Sequence, residues 1–166
     1  MPYALTKRAI GCALSLSLLT SAAVAGGYGG GSGGGSPIMS QEANAILAYS
    51  DRYQDGNFRV EHREIAGAEV KTGAAGESAF GYGSSATNIK TDAGATSWKR
   101  SIQRSGAHAT NGAASAHGFT ASFVKVRTND GKYYIFKGMA NTGASAGPGG
   151  TSTNASGIAK SAAGRY

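Results

Sequence analysis

Metal, acid–base and nucleophile chemistry each need particular side chains at particular spacings, and this chain offers little of any. Its histidines are His62, His108 and His117, with Glu61, Glu64 and Asp130 as the carboxylates that could join them. A preformed metal site wants two or three such ligands at i, i+4 on a helix or alternating along a strand. No two histidines have that spacing, and His108 and His117 stand apart in a Gly/Ala/Ser segment. The only cysteine, Cys12, lies in the first apolar stretch, so the chain beyond it has no thiolate nucleophile and no Cys-ligated metal. A serine hydrolase needs its nucleophile on a rigid, strained turn, whereas Ser32, within Gly30-Gly31-Ser32-Gly33-Gly34, sits in a Gly/Ser tract. Glu61, Glu64 and Glu69 could pair for glycoside cleavage, but a run alternating Arg with Glu reads more simply as a salt-bridged strand face. The expectation is no enzyme, no metal and no cofactor.

Cationic and aromatic side chains interleave more suggestively. Trp98-Lys99-Arg100 with Arg104 forms one group, and Phe123, Lys125, Arg127, Tyr133 and Tyr134 form another. Aromatics among bases suit an anionic polymer, the bases meeting its charge and the rings its sugars or nucleobases. The candidate residues for an anionic partner are Lys125, Arg127 and Lys132. Phe123, Tyr134 and Phe136 are the candidates for packing and assembly.

Charge is distributed unevenly. Between Gly26 and Asp92 eight acids face five bases, but from Ala93 onward nine bases are opposed by Asp130 alone. Such a dipolar subunit could stack head to tail with copies of itself, or bind an acidic polysaccharide or extracellular DNA.

The first 37 residues suggest where such a protein would act. Lys7 and Arg8 precede an apolar run from Ala9 to Leu19, and Ala23-Val24-Ala25 is a small-residue cleavage signature. Residues 1–25 therefore read as a secretory signal peptide, and residues 26–37 as a flexible Gly/Ser-rich leader. The expected location is extracellular or at the cell surface. No later apolar run is long enough to span a bilayer as a helix. Past residue 25, Ile, Leu, Val and Phe fall below the roughly 20% share at which a globular core becomes doubtful. Leu47 is the sole leucine in that region.

The elements that must position these residues read as mainly β. Residues 38–140 are expected to form a single small domain of short Gly/Ala/Ser-rich antiparallel strands. One short helix is expected from Gln41 to about Asp55, capped by Ser40 and ended by Gly56, with a strand through Ala45–Ser50 as its competitor. From Asn57 the chain alternates, although His62 and Glu64 continue the face begun by Phe58 and Val60. The clearest element is a hairpin over residues 119–137, turning at Asn129-Asp130-Gly131. Residues 141–166 read as a Gly/Ala/Ser/Thr-rich tail, either disordered or a strand awaiting a partner. Scarce apolar volume suggests that strand pairing between subunits completes the fold. The functional expectation is an exported structural or adhesive protein, a self-assembling subunit of a fibre or biofilm matrix. The alternatives are a monomeric module binding anionic polymer and a cationic antibacterial protein.

Overall fold

The structure, a computed structural model, describes residues 13–21, 41–74, 76–110 and 112–166. They form eight strands: β1 (Ala13–Ser21), β2 (Gln41–Asp55), β3 (Phe58–Gly73), β4 (Gly76–Lys90), β5 (Ala95–Thr110), β6 (Ala113–Thr128), β7 (Lys132–Gly147) and β8 (Gly150–Arg165). Each sheet is a four-stranded antiparallel meander, in the orders β1-β2-β3-β4 and β5-β6-β7-β8. The sheets pack face to face, with β3 over β6 and β7, β4 over β5 and β6, and β2 over β7 and β8.

Period-two alternation produces this sandwich. On β3, Phe58, Val60, Ala66, Ala68 and Val70 point inward, as do Val124 and Val126 on β6 and Tyr134, Phe136 and Ala140 on β7. Three clusters fill the interior. Large side chains (Tyr53, Phe58, Val60, Val124, Val126, Tyr134, Phe136) crowd one end. Leu47, Tyr49, Ala66 and Ala140 sit between, and alanines with Val70 fill the other end. Small residues suffice there because the sheets come close. A Cβ added at Gly118 would overlap the backbone oxygens of Gly67 and Tyr82 in the opposite sheet, and one at Gly83 would overlap the carbonyl of Phe119. Glycine here is a packing residue.

The helix expected over Gln41 to about Asp55 is not present; those residues are β2, and no helix occurs among the described residues. The physical reason is that Ile46, Tyr49 and Tyr53 satisfy a helical spacing, while Ala43, Ala45, Leu47, Tyr49, Asp51 and Tyr53 satisfy strand alternation over more positions. Fifteen ladder pairs with β3, from Gln41 opposite Thr72 to Asp55 opposite Phe58, decide for the strand. Nor are the strands short: β2 to β8 run to 15 or 16 residues each.

The segment 141–166 is also strand. Asn141 to Gly147 ends β7, and β8 pairs with β7 from Lys132 opposite Arg165 to Gly147 opposite Gly150. The turn between β6 and β7 uses Gly131 at φ 84°. Within the stretch read as an export signal, β1 pairs with β2 from Ala13 opposite Arg52 to Ser21 opposite Asn44. Cys12, the Ala23–Ala25 cleavage signature and the 26–37 leader lie outside the described residues. Among those described, no helix is long and apolar enough to cross a membrane.

Candidate functional site: a basic face on the second sheet

The outer face of the second sheet gathers six cations. Side chains at even positions of β5 and β8 and odd positions of β6 and β7 point away from the core. This places Arg100, Arg104, Lys125, Arg127, Lys137 and Lys160 on one surface. The only carboxylate in β5 to β8 and their turns is Asp130, in the β6–β7 turn. Among the described residues none of the six cations is in an ion pair, and Arg127 lies 5.6 Å over the Tyr166 ring. Large apolar side chains stand among them: Trp98, Ile102, Met139 and Ile158 are all exposed. Trp98 meets Phe123 edge to face at 5.2 Å. A depression of about 460 Å³ opens at one corner, lined by Lys125, Arg127, Tyr133, Ile135 and Tyr166.

The first sheet differs. Its outer face carries Glu42, Glu61 and Glu69 among Arg52, Arg59, Arg63, Lys71 and Lys90. Glu61 pairs with both Arg52 and Arg59, and the Arg59 hydrogen bond holds its carboxyl below the ordinary value. Two of the acids that make the first half of the sequence net acidic, Asp51 and Glu64, are buried inside the sandwich. Asp55 is tied to Arg165, with Nε 2.9 Å from Oδ2. The first sheet therefore offers no acidic complement to the basic face.

The residues singled out from the sequence separate into three environments. Lys125 and Arg127 lie on the basic face, and Phe123 joins them there, half-buried against Trp98. Tyr134 and Phe136 are fully buried core residues. Lys132 points elsewhere: it is buried, its Nζ lies 3.0 Å from Asp130, and it donates to the Asp55 carbonyl at 3.1 Å. It is a clasp at the end of the sandwich and stands apart from the basic face. Arg104 belongs with Trp98, Lys99 and Arg100 in the group the sequence offers, whereas Lys137, Lys160 and Ile158 are not among its binding candidates. They are separated along the chain, and only the cross-strand registers show that they share a face.

A polar network crosses the core. Ser122 Oγ donates to Glu64 Oε2 at 2.6 Å, and His62 Nε2 lies 3.1 Å from the same Oγ. Because the hydroxyl proton goes to the carboxylate, His62 Nε2–H donates to Ser122, and Nδ1 meets Thr87 Oγ1 at 2.8 Å. Phe136 lies tilted against the imidazole, 4.0 Å between centroids. A serine, a histidine and an acid thus converge, but in a different order from a hydrolase triad. There the histidine takes the serine proton and the acid holds its other nitrogen. Here the serine proton is committed to the acid, and both His62 and Glu64 side chains have no exposed surface. The tract around Ser32 is not the only Gly-x-Ser-x-Gly: Gly143 to Gly147 is a second, and it lies within β7, with Ser145 paired to Ser115 and Ser152 and no strand-to-helix turn. Among the described residues no three His, Cys, Asp or Glu side chains converge to hold a metal ion.

Comparison with protein-family models, with curated proteins and with solved structures gives no match.

Proposed function

We propose that this is an exported adhesive protein that attaches to anionic material through the outer face of its second sheet. The observation that carries the reading is six cations with no carboxylate among them on one sheet face, interleaved with exposed apolar side chains. Unpaired cations are held close together there at a cost in self-repulsion, which an anionic partner relieves. The rigid sheet fixes their positions, so little side-chain ordering beyond the Lys and Arg termini is needed on binding.

The test separates the two faces. Heparin serves as a generic polyanion, and binding is followed against salt concentration. Reversal of Lys125→Glu and Arg127→Glu is expected to weaken binding about tenfold or more, and wild-type affinity is expected to fall steeply with salt. Reversal of Lys71→Glu and Lys90→Glu on the first sheet is expected to leave binding within about twofold. Equal losses from both pairs would show that net charge alone attracts the polyanion, and the reading would fail.

A self-assembling fibre subunit is the second reading, favoured by the sheet edges. β8 closes the second sheet as a 16-residue edge made almost wholly of small residues, with Lys160 its only charge before Arg165. Removal of residues 1–25 would take β1 away from β2 and expose a second long edge. Long, flat, weakly charged edges invite strand addition. Electron microscopy of the exported chain at low and high salt decides it: filaments support assembly, and dispersed particles leave attachment alone.

A further inference from the structure

Cross-strand register arranges the basic face in rows. Arg100, Phe123, Lys137 and Lys160 stand side by side across β5, β6, β7 and β8. The next row is Ile102, Ala121, Met139 and Ile158, apolar on all four strands. Three of its members are open to solvent, with Ile102 39%, Met139 41% and Ile158 52% exposed. On the other side of the cation row lie Trp98, Lys125, Ile135 and Ala162, with Trp98 53% exposed. Successive rows are about 7 Å apart, two residues along a strand. A row of three cations and Phe123 is thus bordered on one side by a wholly apolar row and on the other by a row that is apolar except for Lys125.

That alternation discriminates between anionic partners. Nucleobases and sugar rings are held by aromatic platforms; Trp98 and the Tyr133–Tyr166 corner are the rings this face offers, and the row of Ile102, Met139 and Ile158 supplies no further one. Acyl chains lying beneath phosphate groups match it better. Lysine and arginine heads meet the phosphates while the aliphatic row and Trp98 reach the boundary below. Tyr133 and Tyr166, amphipathic rings 6.5 Å apart at the end of the face, suit the same boundary. Resting on the reading of this face as the attachment surface, we propose that its partner is a lipid surface with anionic headgroups, on which the second sheet lies flat.

Trp98 is the only tryptophan in the chain and stands on the face itself, so its emission reports contact locally. The full chain is mixed with vesicles of phosphatidylcholine alone, or with phosphatidylglycerol at about one lipid in three. Emission is expected to move to shorter wavelength with the anionic vesicles only. The double variant Met139→Ser and Ile158→Ser is expected to lower vesicle partitioning about tenfold, because lost apolar contact weakens interfacial binding. Both side chains are largely exposed, and the same variant should bind heparin as the wild type does. Two results would overturn the lipid partner while leaving the attachment face in place: heparin bound through Lys125 and Arg127 with no Trp98 shift on anionic vesicles, or vesicle binding unaffected by the double variant. Loss of face selectivity in the heparin experiment would instead remove the attachment reading.

Discussion

At the scale of single residues, the buried polar network is the most demanding feature of the interior. Glu64 Oε1, Asp51 Oδ1 and Thr120 Oγ1 have no hydrogen-bond partner among the described residues, although Tyr134 donates to Asp51 Oδ2 at 2.7 Å. Burial, and then the charge of Glu64, push the Tyr49 hydroxyl above its ordinary value. Ser122→Ala would take the donor from Glu64 Oε2 and the acceptor from His62 Nε2 together. Stranding buried partners costs about 1–3 kcal/mol, and urea unfolding of Ser122→Ala beside exposed Ser152→Ala is expected to show that difference. A wild-type midpoint for Ser122→Ala would mean the network contributes nothing. At the sandwich end, the Arg165 hydrogen bond lowers the Asp55 carboxyl below its ordinary 3.8. A lowered folded value stabilises the fold above the unfolded value and is lost as pH falls through the folded one. The melting-temperature gap between wild type and Arg165→Ala is therefore expected to be constant at neutral pH and to close below about pH 4. A gap that persists in acid would exclude the pair as its source.

Elements here are set by glycine as much as by apolar residues. Gly118 and Gly83 face the opposite sheet where backbone meets backbone, whereas Gly67 and Gly106 lie beneath the cross-strand rings of Tyr82 and His117. Gly118→Ala must push the sheets apart or shift a strand, an overpacking cost of about 1–3 kcal/mol or more. Gly149→Ala, with nothing within 4 Å, is the control. Thermal unfolding should show a lowered midpoint for the first and not the second; matched midpoints would mean the sheets separate easily. The hairpin at 119–137 was legible because Asn129-Asp130-Gly131 carries turn chemistry between two apolar runs. β2 was not, since a stretch with Ala, Tyr and Ile at mixed spacings fits both periods until a partner strand is present. β8 was equally obscure: Gly, Ala, Ser and Thr carry almost no hydrophobic signal, and its pairing with β7 comes from backbone ladders.

For the whole molecule, sparse apolar content did not preclude a packed interior. Seventeen Ile, Leu, Val and Phe residues follow residue 25, and the few of them that are buried are enough because alanine and glycine let the sheets close on each other at one end. Because the chain passes from the first sheet to the second between Lys90 and Ala95, the charge split along the sequence becomes a difference between sheets. Asp51 and Glu64 go inside, the outer face of the first sheet mixes signs, and the second sheet faces outward almost purely basic. The steep salt dependence expected of heparin binding belongs to this scale, because it depends on all six cations sharing one surface.

The sequence by itself determined a mainly β chain with an export-like start, an aromatic hairpin and a strongly basic second half. Those features are local: periodicity, turn residues and composition can be read without knowing any partner strand. His62 and Glu64 were also visible as polar interruptions of the Phe58–Val60 face, though their bond to Ser122, some 60 positions away, was not. Only the tertiary structure decided which charges cancel, which are buried and which share a surface. Register between strands far apart in the chain makes that decision, because it brings Arg100, Lys137 and Lys160 into one row beside Ile102, Met139 and Ile158.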